Sequence, residues 1–244
     1  MHPILPRTLR TAALVTALAA VTALPGLTLA QSPSAAPAAS TAPATDAGVD
    51  GTWSVDPTVG TFDYDAGDFS GSWVGYRVQE ELAGVGGVEA VGRTPDVTGT
   101  ITLQGTTLTA ADLTADLTTL RSDQSMRDGQ LGRQGIQTDQ FPTATFVLAS
   151  PIELGALPAE GEQVTVDAIG DLTLHGVTRS VTIPLGVVRV GDVIGAAGSV
   201  SFTWADFGME QPTSMRVVSL ADEVTMELQV FFRKDAAAGA SPAA

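Results

Sequence analysis

Residues 163–190 read QVTVDAIGDLTLHGVTRSVTIPLGVVRV, and this stretch decides the fold. Val164, Val166, Ala168, Gly170, Leu172 and Leu174 share one phase of a two-residue period. Gln163, Thr165, Asp167, Asp171 and Thr173 occupy the other. Such alternation is the mark of a strand with one apolar and one wet face. It stops at His175-Gly176 and resumes at Val177. A glycine there supplies the positive φ that a tight hairpin needs. Two long antiparallel strands joined by a short turn are expected.

The same period extends outward from this hairpin. Val97, Gly99, Ile101 and Leu103 alternate with Thr98, Thr100, Thr102 and Gln104. Leu113, Ala115 and Leu117 alternate with Asp112, Thr114 and Asp116, and Val224 through Phe232 repeat the pattern. Further strands are expected at 72–80, 144–149 and 194–204, with a short one around Trp53. The fold class is therefore all-β, a single domain of roughly eight or nine antiparallel strands. Long strands that curl can close into a barrel and remove their edges; alternation alone leaves a sandwich equally open.

Alternation also selects the side chains expected to face inward. The 72–80 strand contributes Tyr76, and the next two contribute Ile101, Leu103, Leu113 and Leu117. The central hairpin adds Leu172, Leu174, Val181 and Ile183, and the last strands add Phe202, Trp204, Met226 and Leu228. A slip of one residue would exchange lining for surface. Gly99, Ala115, Ala168 and Gly170 are small residues on apolar faces and are expected to leave space inside. A barrel of about eight strands is either filled by side chains or holds one ligand. Both possibilities stand at this point.

Segment 122–141 breaks the pattern. It is rich in Asp, Gln, Arg and Gly, with Met126, Leu131 and Ile136 as its sizeable apolar residues. A short helix capped by Ser122 or Asp123 is expected, lying across a barrel mouth.

The ends differ in character from the domain. Arg7 and Arg10 precede an apolar run from Thr11 to Leu24, broken by Pro25-Gly26 and followed by Thr28-Leu29-Ala30. Basic, apolar, then small is the order of a secretory signal peptide. The run is short of the roughly 20 residues of a spanning helix, so cleavage near Ala30 and a secreted or periplasmic chain with no membrane span are expected. Residues 31–50 and 235–244 are Ala-, Pro-, Ser- and Thr-rich spacers with too little apolar surface to fold. The domain is expected over 51–234. Loss of Arg7 and Arg10 would leave 10 basic against 27 acidic residues, a formal charge of about −17. So acidic a surface is repelled by nucleic acid and anionic headgroups, which points to a neutral or apolar ligand. The chain has no cysteine, so neither a disulfide nor a lipid-anchored cysteine is available to it.

Few residues could carry chemistry. His2 leaves with the signal segment, so His175 stands alone, too little for a site of imidazole and thiolate ligands. No Gly-x-Ser-x-Gly turn exposes a nucleophile. Asp206-Phe207-Gly208 repeats a kinase triplet with nothing else of a kinase around it. Asp63, Asp65 and Asp68 open like a calcium loop, but Val74 stands where the bidentate glutamate belongs. Gly84, Gly86 and Gly87 read as a flexible connection, and paired acids such as Asp112 and Asp116 read as solvated surface. No catalytic residue, metal or cofactor is expected.

Five motifs then occur in order: Trp53-Ser54-Val55-Asp56-Pro57, Arg127-Asp128-Gly129-Gln130-Leu131, Phe141-Pro142-Thr143-Ala144-Thr145-Phe146, Gly170-Asp171-Leu172-Thr173-Leu174-His175-Gly176-Val177-Thr178-Arg179-Ser180-Val181, and Asp206-Phe207-Gly208. Together they resemble the YceI-like polyisoprenoid-binding family over about 52–234. The resemblance implies a lipocalin-like antiparallel barrel, secreted or periplasmic. It implies an enclosed polyisoprenoid, quinone or fatty amide, and no catalytic residues. One departure stands out: family members often carry a His-Ser pair after the first motif, where this chain has Thr58-Val59-Gly60. The remaining readings are a surface-acting stress-response or interaction module with a filled core, and a carboxylate hydrolase. A homodimer is compatible with all three.

Overall fold

The structure, a computed structural model, describes residues 48–236. The signal segment with its cleavage near Ala30, most of the 31–50 spacer and the tail after 236 lie outside the described residues. The first strands are β1 (Gly51–Val55), β2 (Phe62–Asp63), β3 (Asp68–Phe69), β4 (Trp73–Leu82), β5 (Gly86–Thr94), β6 (Val97–Gln104) and β7 (Thr107–Asp116). Then come β8 (Arg121–Ser122), β9 (Thr143–Leu148), β10 (Ile152–Glu153), β11 (Gln163–Leu174), β12 (Val177–Val190), β13 (Val193–Thr203) and β14 (Val217–Lys234). One short helix, α1 (Ser125–Gln130), runs on into a π turn over Leu131–Gly135.

Eight strands close a ring in the order β1-β6-β7-β9-β11-β12-β13-β14 and back to β1, every pair antiparallel. The barrel expectation holds and the sandwich does not. Closure leaves no ring strand with an unpaired edge along these registers. β14 is long enough to do two things. Its end pairs with β1, Trp53 opposite Lys234, while Val217–Gln229 pairs with β4. Beyond β4 lie β5 and β8, a wing that widens the barrel at one end. Segment 122–141 lies beside that wing.

The hairpin that anchors the sequence reading forms as expected. Gln163 lies opposite Val188 and Leu174 opposite Val177, with Ala168 against Ile183 between. Both turn residues take positive φ, 52° at His175 and 73° at Gly176. His175 is held there by contacts to Phe207 O and Gln137 Oε1, each 3.1 Å from a ring nitrogen, and its ring lies 4.3 Å from that of Phe141.

Two glycines correct the expectation that small residues open the interior. A β-carbon at Gly170 would stand 2.4 Å from Phe146 Cζ and 2.5 Å from Val147 O. At Gly99, φ is +136° and the added carbon would meet Asp112 O at 2.1 Å. These positions let β9 and β7 approach closely; Ala115 and Ala168 are the ones that border free space. Gly170→Ala is expected to lower unfolding free energy by about 1–3 kcal/mol through overpacking. An unchanged urea midpoint would contradict that account.

Residues just ahead of Gly51 pack onto the barrel. Val49 is only 2% exposed, and Trp53, 1% exposed, donates its Nε1 to Val49 O at 2.9 Å. Lys234 Nζ donates to Gly48 O. At this same seam Asp56 Oδ1 accepts from Thr58 N and Oγ1, and its Oδ2 accepts from Arg233 Nε at 2.5 Å. Hydrogen bonds from Thr58, then from Arg233, lower the Asp56 pKa from its ordinary 3.8 to about 2. A carboxylate with a depressed folded pKa stabilises the fold above its unfolded pKa, and that contribution fades as pH falls from about 4 to about 2. Asp56→Asn is therefore expected to flatten the acid limb of stability in that window. Parallel urea-midpoint profiles for the two proteins between pH 2 and 5 would contradict it.

Candidate functional site

Alternation puts even-numbered residues of β14, β11 and β4 on the inner face, and odd-numbered residues of β12. Met226, Leu228, Val230 and Phe232 from β14 meet Ile194 and Ala196 from β13 and Ile183, Leu185 and Val187 from β12 around a hollow of about 150 Å³. β6, β7, β9 and β11 complete its wall, with Leu154, Leu157 and Pro158 from the segment after β10. Only Thr114, Thr145 and Arg189 bring polar side chains to this inner hollow.

Next along the barrel is a smaller hollow of about 60 Å³, bordered by Leu117, Leu120, Ile136, Leu174, Phe202, Met209 and Val224. Val74, Ala144 and Met226 border both, so they form the neck between them. Past a second partition, made of Tyr76, Leu131 and Trp204, lies an outer chamber of about 300 Å³. Three neighbouring spaces thus run from the closed ring to the wing, each sharing three lining residues with the next.

The outer chamber is different in kind. On β4 the inner-face phase runs Val74, Tyr76, Val78, Glu80, so a glutamate points inward with its side chain only 4% exposed. Arg127 from α1 answers it: Nη2 lies 2.6 Å and Nε 3.2 Å from Glu80 Oε1. Arg127 Nη1 also binds Asp123 and lies 3.3 Å from Ser122 Oγ. Asp128 accepts from Ser122 N at 2.9 Å and from Ser122 Oγ. This network pins segment 122–141 to the wing. The expected helix cap is corrected here: the residue before the helix is Gln124 with no capping side chain, because Ser122 is bound to Asp128 instead. Burial raises the Tyr76 phenol well above its ordinary pKa, so the group remains an O–H donor at neutral pH. Neither Tyr76 Oη nor Gln130 Oε1, both buried, has a hydrogen-bond partner.

The thirteen residues expected to face inward fall as follows. Ile101, Leu103, Leu113, Leu172, Ile183, Met226 and Leu228 border the inner hollow. Tyr76, Leu117, Leu174, Phe202 and Trp204 border the middle one, together with Met226. Val181 is half-buried against the same cluster without bordering a hollow. Sequence reasoning missed Leu108, which a register shift between Thr102 and Leu103 turns inward against the simple alternation. It missed Val49, read as spacer, and Glu80, whose inward phase was legible but whose charge argued against it.

The other motifs are structural. Asp206 and Thr203 form a reciprocal capping box for a 3₁₀ turn over Trp204–Phe207, with Gly208 at φ 65° behind it. Asp63 Oδ1 accepts from Asp65 N and Ala66 N, an Asx turn between β2 and β3. Among the described residues no group of three or more acids and histidines is placed to hold a metal. No helix among them is long and apolar enough to cross a membrane.

Comparison with known proteins agrees with this architecture. The sequence pattern of the YceI-like domain matches residues 53–232. Two UPF0312 proteins, from Vibrio vulnificus strains YJ016 and CMCP6, are 32% identical over 127 residues, which is 49% of this chain and 60% of theirs. The matched part thus spans about three-fifths of the length of these curated relatives. A polyisoprenoid-binding domain from Saccharophagus degradans, described as implicated in plant cell wall breakdown, superposes with a TM-score of 0.54 at 19% identity. It covers 67% of this chain and 94% of its own. BcnA from Burkholderia cenocepacia gives 0.51 at 22% identity, covering 66% and 95%. At these identities the two structures share the fold.

Proposed function

This chain belongs to the YceI-like domain family, and on that premise we propose that it is an exported lipid-binding protein, holding a polyisoprenoid or similar long-chain amphiphile inside the barrel. The observation that carries this reading is the row of three spaces, apolar for most of its length, where a packed core would stand. Each methylene moved from water into such a lumen contributes about 0.8 kcal/mol. A chain of tens of carbons therefore needs no strong polar anchor. Taken singly the hollows are small, so a long tail requires the partitions at Met226 and at Trp204 to shift rotamer and join them. Methionine at the first is suited to that, being unbranched and adaptable.

The acidic surface supports a ligand without net negative charge, since residues 31–244 carry a formal charge of about −17. The protein acts, in this proposal, by sequestering or carrying its ligand, and no chemistry on the ligand is invoked. The basic, apolar and small order of residues 1–30 supports export by signal cleavage. Native mass spectrometry of the protein purified from its own host tests the proposal. A retained hydrophobic molecule, recoverable by organic extraction, is the expected result. An empty barrel that also fails to take up a C20 isoprenoid after delipidation would overturn it.

A further inference from the structure

The ladders that close the ring do not run its full height. On one flank, β9 meets β7 only over residues 112–116 and β11 only over residues 170–173. Residues 163–168 of β11 therefore keep a ladder on the β12 side alone. β7 regains a partner only at Leu108 and Thr107, with β10. Resting on the lipid-binding reading above, we propose that this break is a side entrance to the inner hollow, and that residues 155–161 are its hinged door, through which an isoprenoid tail enters.

Two strands that flank a third stand about 10 Å apart, so past the end of β9 at Leu148 the wall is made of side chains instead of backbone. The segment between β10 and β11 covers the break. Its Leu154, Leu157 and Pro158 border the inner hollow together with Ala111 of β7 and Ala168 of β11. The segment is fastened at its two ends. Leu154 N donates to Thr106 O at 3.0 Å; Gly161 N donates to Arg189 O at 2.8 Å, and Glu160 Oε1 accepts from Gly191 N at 3.1 Å. Among the described residues, no hydrogen bond reaches residues 155–158. Half-buried apolar contacts alone hold them shut, and a segment with so few ties is among the first to open.

Gly155 and Gly161 bracket the door at φ +70° and +77°. A β-carbon at either would meet nothing within 4 Å, unlike those at Gly99 and Gly170. These two glycines therefore serve backbone conformation and not packing, as hinges do. Outside, Val147 and Ile169 are exposed diagonal neighbours at the corner where β9 ends. They offer an arriving tail an apolar surface beside the door. The route from the wing to the same hollow crosses the partitions at Trp204 and at Met226, and the side route crosses neither.

The absence of cysteine allows a clean reporter in the full chain. Ala168→Cys puts a thiol at the inner hollow, and Val224→Cys puts one at the middle hollow; both sites are buried. N-ethylmaleimide labelling of each is timed with and without Gly155→Val. That change meets no neighbour, but a β-branched residue resists the positive φ of the closed door. Labelling at 168 is expected to quicken about tenfold, and labelling at 224 to stay within about threefold. Leu157→Ala, which removes the plug, is expected to act in the same direction. No acceleration at 168 by either change overturns the proposal, and so does equal acceleration at both sites, the mark of a loosened barrel. Stopped-flow tryptophan fluorescence with geranylgeraniol then tests the route. Gly155→Val is expected to raise association and dissociation rates together by about fivefold, leaving Kd within about threefold. Binding with unchanged rates sinks the side entrance alone, whereas no binding to any variant or to the parent sinks the lipid-binding reading.

Discussion

Replacing Arg127 by methionine is expected to lower the unfolding free energy by about 3–5 kcal/mol, the cost of leaving a buried charge without its partner. Glu80 is the reason. It projects from the inner face of β4 with 4% of its side chain exposed, and Arg127, 18% exposed, lies 2.6 Å from its oxygen. Removing the guanidinium strands the carboxylate in the outer chamber and frees segment 122–141 from the wing. The double change Glu80→Leu with Arg127→Met removes both charges, and a well-packed apolar replacement of a buried pair is often neutral. It is expected to recover most of the loss. Urea unfolding of the two single variants, Arg127→Met and Glu80→Leu, and of the double, beside the parent, gives the coupling directly. A single variant within 1 kcal/mol of the parent would mean that the pair does not hold this segment.

Ala144→Leu is expected to weaken binding of a C20 isoprenoid more than a hundredfold while leaving binding of a C8 or C10 chain within about threefold. Ala144 borders both the inner and middle hollows and is itself buried, so three added carbons there block the neck. A tail confined to one side loses contact for several methylenes. Four of them amount to about 3 kcal/mol, or a factor above one hundred. Overpacking will cost the fold about 1–3 kcal/mol, and a cooperative urea transition shows that the barrel still forms. The contrast between chain lengths carries the test. Equal weakening of short and long chains would indicate general damage, and no weakening would show that the hollows are not joined by ligand.

The sequence makes the barrel legible because two-residue alternation is a direct image of inside and outside. The His175-Gly176 turn adds register to it. β5 escapes notice since Gly86-Gly87 and Gly92 dilute its apolar phase; Gly92 is glycine because the Tyr76 ring occupies the space where its side chain would stand. The row of hollows is less legible than the strands. Gly99 and Gly170 look like sources of space, but a neighbouring backbone and the Phe146 ring take it up. Free volume depends on how facing side chains mesh, which no one-dimensional pattern records. Glu80 teaches the complementary lesson. Its phase pointed inward, and only a partner 47 residues away makes that tolerable.

β14 holds the ring to the wing, and it is the last strand among the described residues. Of its three neighbours, β13 immediately precedes it, while β1 and β4 come from the other extreme of the domain. Until Val217–Lys234 has left the ribosome, β1, β4 and β13 each keep an open flank, and the cylinder stays unzipped. Such pairing across nearly the whole domain is slow to form. A version cut before residue 217 would present exposed strand flanks ready to adhere to other copies.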